Sequence, residues 1–246
     1  MFGVHTMATL SRRSFLKAAG SASVASVAAV GAQAASKPAP NVQTGQLFFN
    51  PQEAAFVHAA CARLIPLDEH GAGAVEAGVP NYIDKQLAGT WGAGERLYRN
   101  GPWQTGTPTQ GYQLPFTPAE LFRNALRGVA EELATTGKDF SKLLGAEQDA
   151  YLESLQKGGK DLHGVPSDVF FETLLAMTVE GFFSDPAYGG NQDMAAWKMI
   201  GFPGAYANYY DLVDKHGLKL TRAPMSIADA PVTEHNHGGP NIPAHL

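Results

Sequence analysis

The chain holds one cysteine, Cys61, in 246 residues. One cysteine cannot close an internal disulfide, even in a compartment that permits one, and cannot hold an iron–sulfur cluster. No C-x-x-C-H run offers a covalent haem site. Long apolar runs are also missing. The most uniform one, residues 18–30, is Ala, Val, Ser and Gly, short of the ~20 apolar residues a bilayer span requires. No run alternates β-branched and aromatic residues with polar ones, so no strand is expected. The G-x-S-x-G, H-E-x-x-H and Walker signatures are absent. Gly71-Ala-Gly73 and Gly92-Ala-Gly94 begin like dinucleotide fingerprints but lack the last glycine and follow no strand, so they read as turns. Positive charge is in deficit: 18 Lys and Arg against 23 Asp and Glu give a net charge of −5. That balance argues against nucleic acid or an anionic membrane surface as partner.

What the sequence does contain begins at its N-terminus. Ser11-Arg12-Arg13-Ser14-Phe15-Leu16-Lys17 precedes the weakly apolar stretch, and Ala32-Gln33-Ala34 supplies a small-x-small cleavage pattern. Residues 1–34 therefore read as a twin-arginine signal peptide, with Arg12, Arg13, Phe15 and Leu16 as the export signal and the periplasm as destination. The leader carries three basic and no acidic side chains, so its removal makes the chain more acidic still. That export route carries proteins already folded. Either this chain or something bound to it must then fold before transport.

Residues 35–46 read as a flexible leader, 47–220 as one helical domain and 221–246 as an extended tail with His235, His237 and His245. Asn50-Pro51-Gln52-Glu53 and Thr117-Pro118-Ala119-Glu120 are capping boxes, each with proline at the first helical position. The first opens a helix to about Leu64 with Phe56, Ala60 and Leu64 on one stripe. The second opens a helix with Phe122, Leu126, Val129 and Leu133 inward and Gly137 at its C-cap. Further helices are expected over 80–87, 147–156, 167–183, 193–199 and 205–215, the last finishing the core. In 167–183 the inward set is Phe170, Phe171, Leu174, Leu175, Val179 and Phe182. The fold class is all-α: a single irregular helical domain with a long Gly/Pro/aromatic-rich loop and extended tails.

That loop, residues 88–116, is long for a structureless segment and contains Trp91, Tyr98, Trp103, Tyr112 and Phe116, too many aromatics for disorder. Large amphipathic side chains on a Gly/Pro scaffold suit a contact surface. A fold-back onto its own domain is the competing reading, and Trp91 with Trp103 stacking on a sugar is a third. His58, Cys61 and His70 are the one set that resembles a metal or catalytic site, though no matching second pair accompanies them. Glu131-Glu132 reads as a solvated helix face. Asp185-Pro186, Gly189-Gly190 and Asn191 or Asp193 describe a structured corner anchored by Trp197.

The segment 182–204, Phe-Phe-Ser-Asp-Pro-Ala-Tyr-Gly-Gly-Asn-Gln-Asp-Met-Ala-Ala-Trp-Lys-Met-Ile-Gly-Phe-Pro-Gly, resembles the gluconate 2-dehydrogenase subunit 3 family. So do Ala60-Cys-Ala-Arg-Leu-Ile-Pro66, Ile83-Asp84 and Gly101-Pro102-Trp103. The resemblance covers about residues 48–213. It implies the small subunit of a membrane-bound, flavin-dependent sugar or sugar-acid dehydrogenase, with oxidation of D-gluconate to 2-ketogluconate as the expected reaction. It implies FAD on a large partner subunit and haem c on a multihaem cytochrome partner, which also provides the membrane attachment. This chain would then carry no cofactor, metal or catalytic residue and would escort the large subunit through the twin-arginine machinery. The expected partner interface uses Cys61, Trp91, Trp103, Tyr112, Phe183, Tyr188 and Trp197.

Overall fold

The computed structural model describes residues 46–104, 106–107, 109–206, 210–219 and 222–229. The signal residues Arg12, Arg13, Phe15 and Leu16, the leader up to residue 45 and the histidines of the tail lie outside the described residues. Six α-helices carry the fold: α1 (Pro51–Leu64), α2 (Val79–Ala88), α3 (Pro118–Ala134), α4 (Gly145–Gln156), α5 (Ser167–Phe183) and α6 (Ala195–Ile200). A hairpin of two-residue strands, β1 (Asp161–Leu162) and β2 (Val165–Pro166), joins α4 to α5. The expectation of no strand is corrected by this hairpin alone. It is too short to show any alternation in the sequence.

Both capping boxes form. Asn50 accepts from the Glu53 amide at 2.9 Å while Glu53 accepts from the Asn50 amide at 2.9 Å. Thr117 and Glu120 repeat the exchange at 3.2 and 2.8 Å. Each box satisfies two of the amides that a helix start leaves without partners. α3 buries Leu121, Phe122, Ala125, Leu126, Val129 and Leu133, the expected stripe and its two neighbours. Past its end the Lys138 amide returns to the Leu133 carbonyl at 3.0 Å, and Gly137 has φ +65°. That is the closure a C-terminal glycine permits.

α5 is the central helix and packs against α1, α2, α3 and α4. Phe170, Phe171, Leu174, Met177, Thr178, Gly181 and Phe182 face inward. Val179, expected inside, is exposed, and Leu175 is only half-buried. The reason is angular. Three- and four-residue steps from Leu174 reach 177, 178, 181 and 182, whereas a step of five turns residue 179 well off the inward face. Gly181 lets α5 approach α2 closely: a Cβ there would lie 2.6 Å from the Tyr82 ring.

Three polar devices join the helices. Asp84, buried on α2, accepts the amides of Leu47, Phe48 and Phe49 at 2.7, 3.0 and 2.9 Å, pinning the incoming chain to the core. Arg63 grips Asp149 with two bonds of 2.8 and 2.6 Å, tying α1 to α4. Arg123 of α3 donates to Glu53 and to the Phe48 carbonyl, with its guanidinium 4.0 Å from the centre of the Phe48 ring. Glu132, read as solvated, in fact accepts from Tyr151 at 2.8 Å and Lys160 at 2.6 Å, and Glu131 meets His163 at 2.8 Å. The partners are 19 to 32 residues away, a distance that local spacing rules do not cover.

The helix expected over 205–215 is absent among the described residues, apart from a single 3₁₀ turn, Tyr210–Leu212. The Ala205 amide instead donates to the Met225 carbonyl at 2.7 Å, and the Met225 amide donates to Pro203 at 3.1 Å. Ala205, where the expected helix would begin, is thus committed to a long-range pairing. Residues 222–229, placed in the tail by sequence, are thereby part of the folded domain.

Candidate partner-binding surfaces

Two exposed apolar regions stand out from the helical core. The first is the aromatic loop after α2. Its start is fixed by backbone: the Gly92 amide donates to Gln86 at 3.1 Å, and the Ala119 amide donates to Gly92 at 3.0 Å. Gly92 lies directly on the Leu87 carbonyl, so no side chain fits there. The loop returns through Phe116, which packs on the core and against Gly164. Between these anchors Trp91, Leu97, Tyr98, Trp103 and Tyr112 are exposed. The Tyr112 hydroxyl donates to the Phe116 carbonyl at 2.6 Å, closing the distal limb on itself. Burial pushes that phenol up to about 12; Glu120 adds to the rise and Arg99 opposes it. The fold-back reading is corrected for the aromatic tips, which do not rejoin the core. Exposed Trp and Tyr on a short-tethered loop present large contact area at little loss of side-chain freedom.

A shallow groove of ≈ 440 Å³ runs between this loop and α3, lined by Arg99, Pro115, Phe116, Ala119, Glu120, Arg123 and Asn124. Its cations are already engaged: Arg99 sits 3.5 Å from Glu120, and Arg123 holds Glu53. No histidine or cysteine lines it, so the groove itself offers no nucleophile–base pair.

The second region surrounds the corner from Asp185 to Gly204. Asn191 is fully buried at φ +44°, donating to the Ser184 carbonyl at 2.9 Å and accepting from the Ala196 amide at 2.9 Å. It therefore caps α6, as one of the two expected candidates; Asp193, at φ +55°, does not. The Gln192 amide donates to Ala77 at 3.0 Å, and Asn81 of α2 donates to the Gly189 carbonyl at 3.0 Å, so the corner is stitched to the turn before α2 and to the first turn of α2. Asp185 accepts from the Ala187 amide at 2.9 Å, the Ser226 hydroxyl at 2.6 Å and the Ile227 amide at 2.9 Å. Burial alone would raise the Asp185 carboxyl, but bonds from Ser226, Ala187 and Ile227 outweigh it and hold the group below its ordinary value.

The structure divides the expected interface set. Trp91, Trp103, Tyr112 and Tyr188 are exposed and Phe183 is half-buried. Trp197 is 6% exposed and donates its indole N–H to the Phe183 carbonyl at 2.8 Å, so it supports the corner from beneath. Cys61 is fully buried, with its sulfur 3.7 Å from the Thr178 hydroxyl. Burial pushes the thiol up to about 12, only partly offset by Thr178. Both residues thus leave the expected interface set for the core, the place that a small thiol on a helix and an anchoring tryptophan equally suit. His58 and His70 are exposed while Cys61 is inside, so these three do not converge, and no cluster of three His, Cys, Asp or Glu suited to a metal occurs among the described residues. Sequence reading missed Asp84 as a clamp and missed Met199, Ile200 and Phe202 as exposed apolar side chains. The only advance signal for Asp84 was its place in the resemblance.

No curated protein and no solved structure matches the chain. A family model does: the one described as Gluconate 2-dehydrogenase subunit 3, over residues 51–204. That span starts at α1 and ends at the corner, taking in Arg63, Asp84, the aromatic loop and the whole of α6. The chain belongs to the gluconate 2-dehydrogenase subunit 3 family.

Proposed function

We propose that the chain is the non-catalytic small subunit of a periplasmic, membrane-bound flavin dehydrogenase that oxidises D-gluconate to 2-ketogluconate. The family membership carries this reading, since the family is that of a dehydrogenase subunit. Two features give the role its physical content. A twin-arginine leader serves folded cargo, and Arg12 and Arg13 stand where such a leader requires them. A loop of exposed Trp91, Trp103 and Tyr112 on backbone anchors gives a partner something rigid to grip. In this account FAD sits on the large subunit and haem c on a cytochrome that holds the assembly at the membrane. The small subunit binds the folded flavoprotein in the cytoplasm and carries it out on the one signal. Asp84 fixes Leu47, Phe48 and Phe49 at the start of the folded domain.

The full chain purified alone is expected to bind no flavin and to reduce no acceptor dye with D-gluconate, whereas the assembled complex does both. Acceptor reduction by the isolated chain would overturn the non-catalytic assignment. Activity of the complex on another sugar acid, with none on gluconate, would overturn the substrate.

A further inference from the structure

The chain contains a single Asn-Gly pair, Asn100-Gly101, and the structure sets it apart from the other asparagines among the described residues. An asparagine side chain is open to attack by the amide nitrogen of the residue that follows it, so the state of that nitrogen decides how durable the side chain is. Asn50 is followed by Pro51, which has no N–H. After Asn81 the Tyr82 amide donates to the Gly78 carbonyl at 3.1 Å, and after Asn191 the Gln192 amide donates to Ala77 at 3.0 Å. Asn124 lies inside α3, where the Ala125 amide is spent on the helix ladder. Gly101 differs from all four. Neither its amide nor the Asn100 side chain has a hydrogen-bond partner among the described residues.

Access and shape agree with this. Asn100 and Gly101 are both exposed, in the stretch of the aromatic loop between Tyr98 and Trp103. Gly101 has no side chain to shield its nitrogen or to restrict the rotation that brings it onto the asparagine. A Cβ at 101 would meet nothing closer than the Trp103 indole nitrogen at 3.4 Å, so alanine fits the same position.

We propose that Asn100 is a site of spontaneous covalent modification, in which the Gly101 nitrogen displaces the side-chain nitrogen of Asn100. The Gly101 nitrogen gives its proton to solvent base and bonds to Asn100 Cγ, and the bond from Cγ to the side-chain nitrogen breaks with release of ammonia. The five-membered imide so formed takes up one water. Cleavage of the new bond leaves aspartate in an unaltered backbone; cleavage of the original peptide bond leaves isoaspartate, with the chain routed through Cγ. Nothing is oxidised or reduced: one amide and one water become one carboxylate and one ammonium. Either product places a new negative charge beside Arg99, which faces Glu120 at 3.5 Å across the groove. Isoaspartate also lengthens the main chain by one carbon directly ahead of Pro102 and Trp103. The aromatic loop therefore carries a slow chemistry of its own, whether or not it meets a partner.

The test incubates the purified full chain at 37 °C, folded and in denaturant, and follows the peptide 96–120 released by cleavage after Glu95 and Glu120, by mass and by chromatographic separation of isomers. In the folded chain Asn100 is expected to convert at least tenfold faster than Asn50, Asn81, Asn124 or Asn191 and to yield both aspartate and isoaspartate. The rate is expected to rise severalfold from pH 7 to pH 8, because the attacking nitrogen must lose its proton. Gly101→Ala is expected to slow conversion at least tenfold, and Asn100→Gln to leave the peptide unmodified. Circular dichroism checks that both variants remain folded. An Asn100 that stays intact in the folded chain while it converts in denaturant would overturn the inference, since the loop would then withhold the Gly101 nitrogen. Aspartate without isoaspartate, or a rate indifferent to Gly101→Ala, would overturn it as well.

Discussion

At the scale of single residues, the molecule uses its polar side chains mainly as fasteners. Asp84 gathers three amides, Asn191 bridges two backbone groups, and Asp185 gathers two amides and a hydroxyl. Cys61 belongs with the core, since a thiol at about 12 in a fully buried site is neither a nucleophile nor a disulfide partner. A maleimide at pH 8 is therefore expected to leave the native chain unlabelled and to add one equivalent in denaturant; rapid native labelling would refute this. The sign of the accompanying pH effect follows from linkage. The unfolded thiol ionises near pH ~8.5, while the folded one keeps its proton until about 12, so Cys61 lowers stability as pH rises through that window. Asp185 has the opposite sense. Its carboxyl is held below its ordinary value, so its contribution is present above that value and disappears as pH falls below it. At neutral pH, Asp185→Ala removes the acceptor for Ser226 and Ile227 and is expected to speed tryptic cleavage after Arg222 severalfold, with little change in global unfolding. Unchanged cleavage would show that the Gly204–Met225 pairing alone holds the segment.

At the scale of elements, helix identity was written locally and helix neighbourhood was not. The boxes Asn50–Glu53 and Thr117–Glu120 and the stripe Phe122, Leu126, Val129, Leu133 are adjacent-residue signals, and each appears as expected. The start of the expected 205–215 helix is lost where Ala205 pairs with Met225, a partner twenty residues on that no local rule anticipates. For the same reason the sequence marked Trp197 as an anchor but could not say that it points inward, leaving Phe202, Met199 and Ile200 at the surface. The aromatic loop was legible because its Gly and Pro content conflicts with its aromatic content, and only a structured loop reconciles the two. Helix spacing supplies a direct check. Gly181→Ala gains about 1 kcal/mol of helix propensity but drives a methyl into the Tyr82 ring, and overpacking costs about 1–3 kcal/mol. We expect a lower Tm by about 2–6 °C. A higher Tm would mean that α2 and α5 separate without penalty.

At the scale of the whole molecule, a helical body of a known subunit family presents aromatic and aliphatic surfaces to solvent, and the proposed function reads the residues before it as a signal for folded cargo. These properties make sense together if the chain works while attached to something else. In the proposed function the exposed aromatics give the attachment and the leader provides the direction of travel. The most direct measurement of this central claim is gluconate dehydrogenase activity in periplasmic and cytoplasmic fractions of cells carrying Arg12→Lys with Arg13→Lys. The account predicts that the flavoprotein's activity is retained in the cytoplasm with its large subunit unaltered. Normal periplasmic activity in that double variant would contradict it.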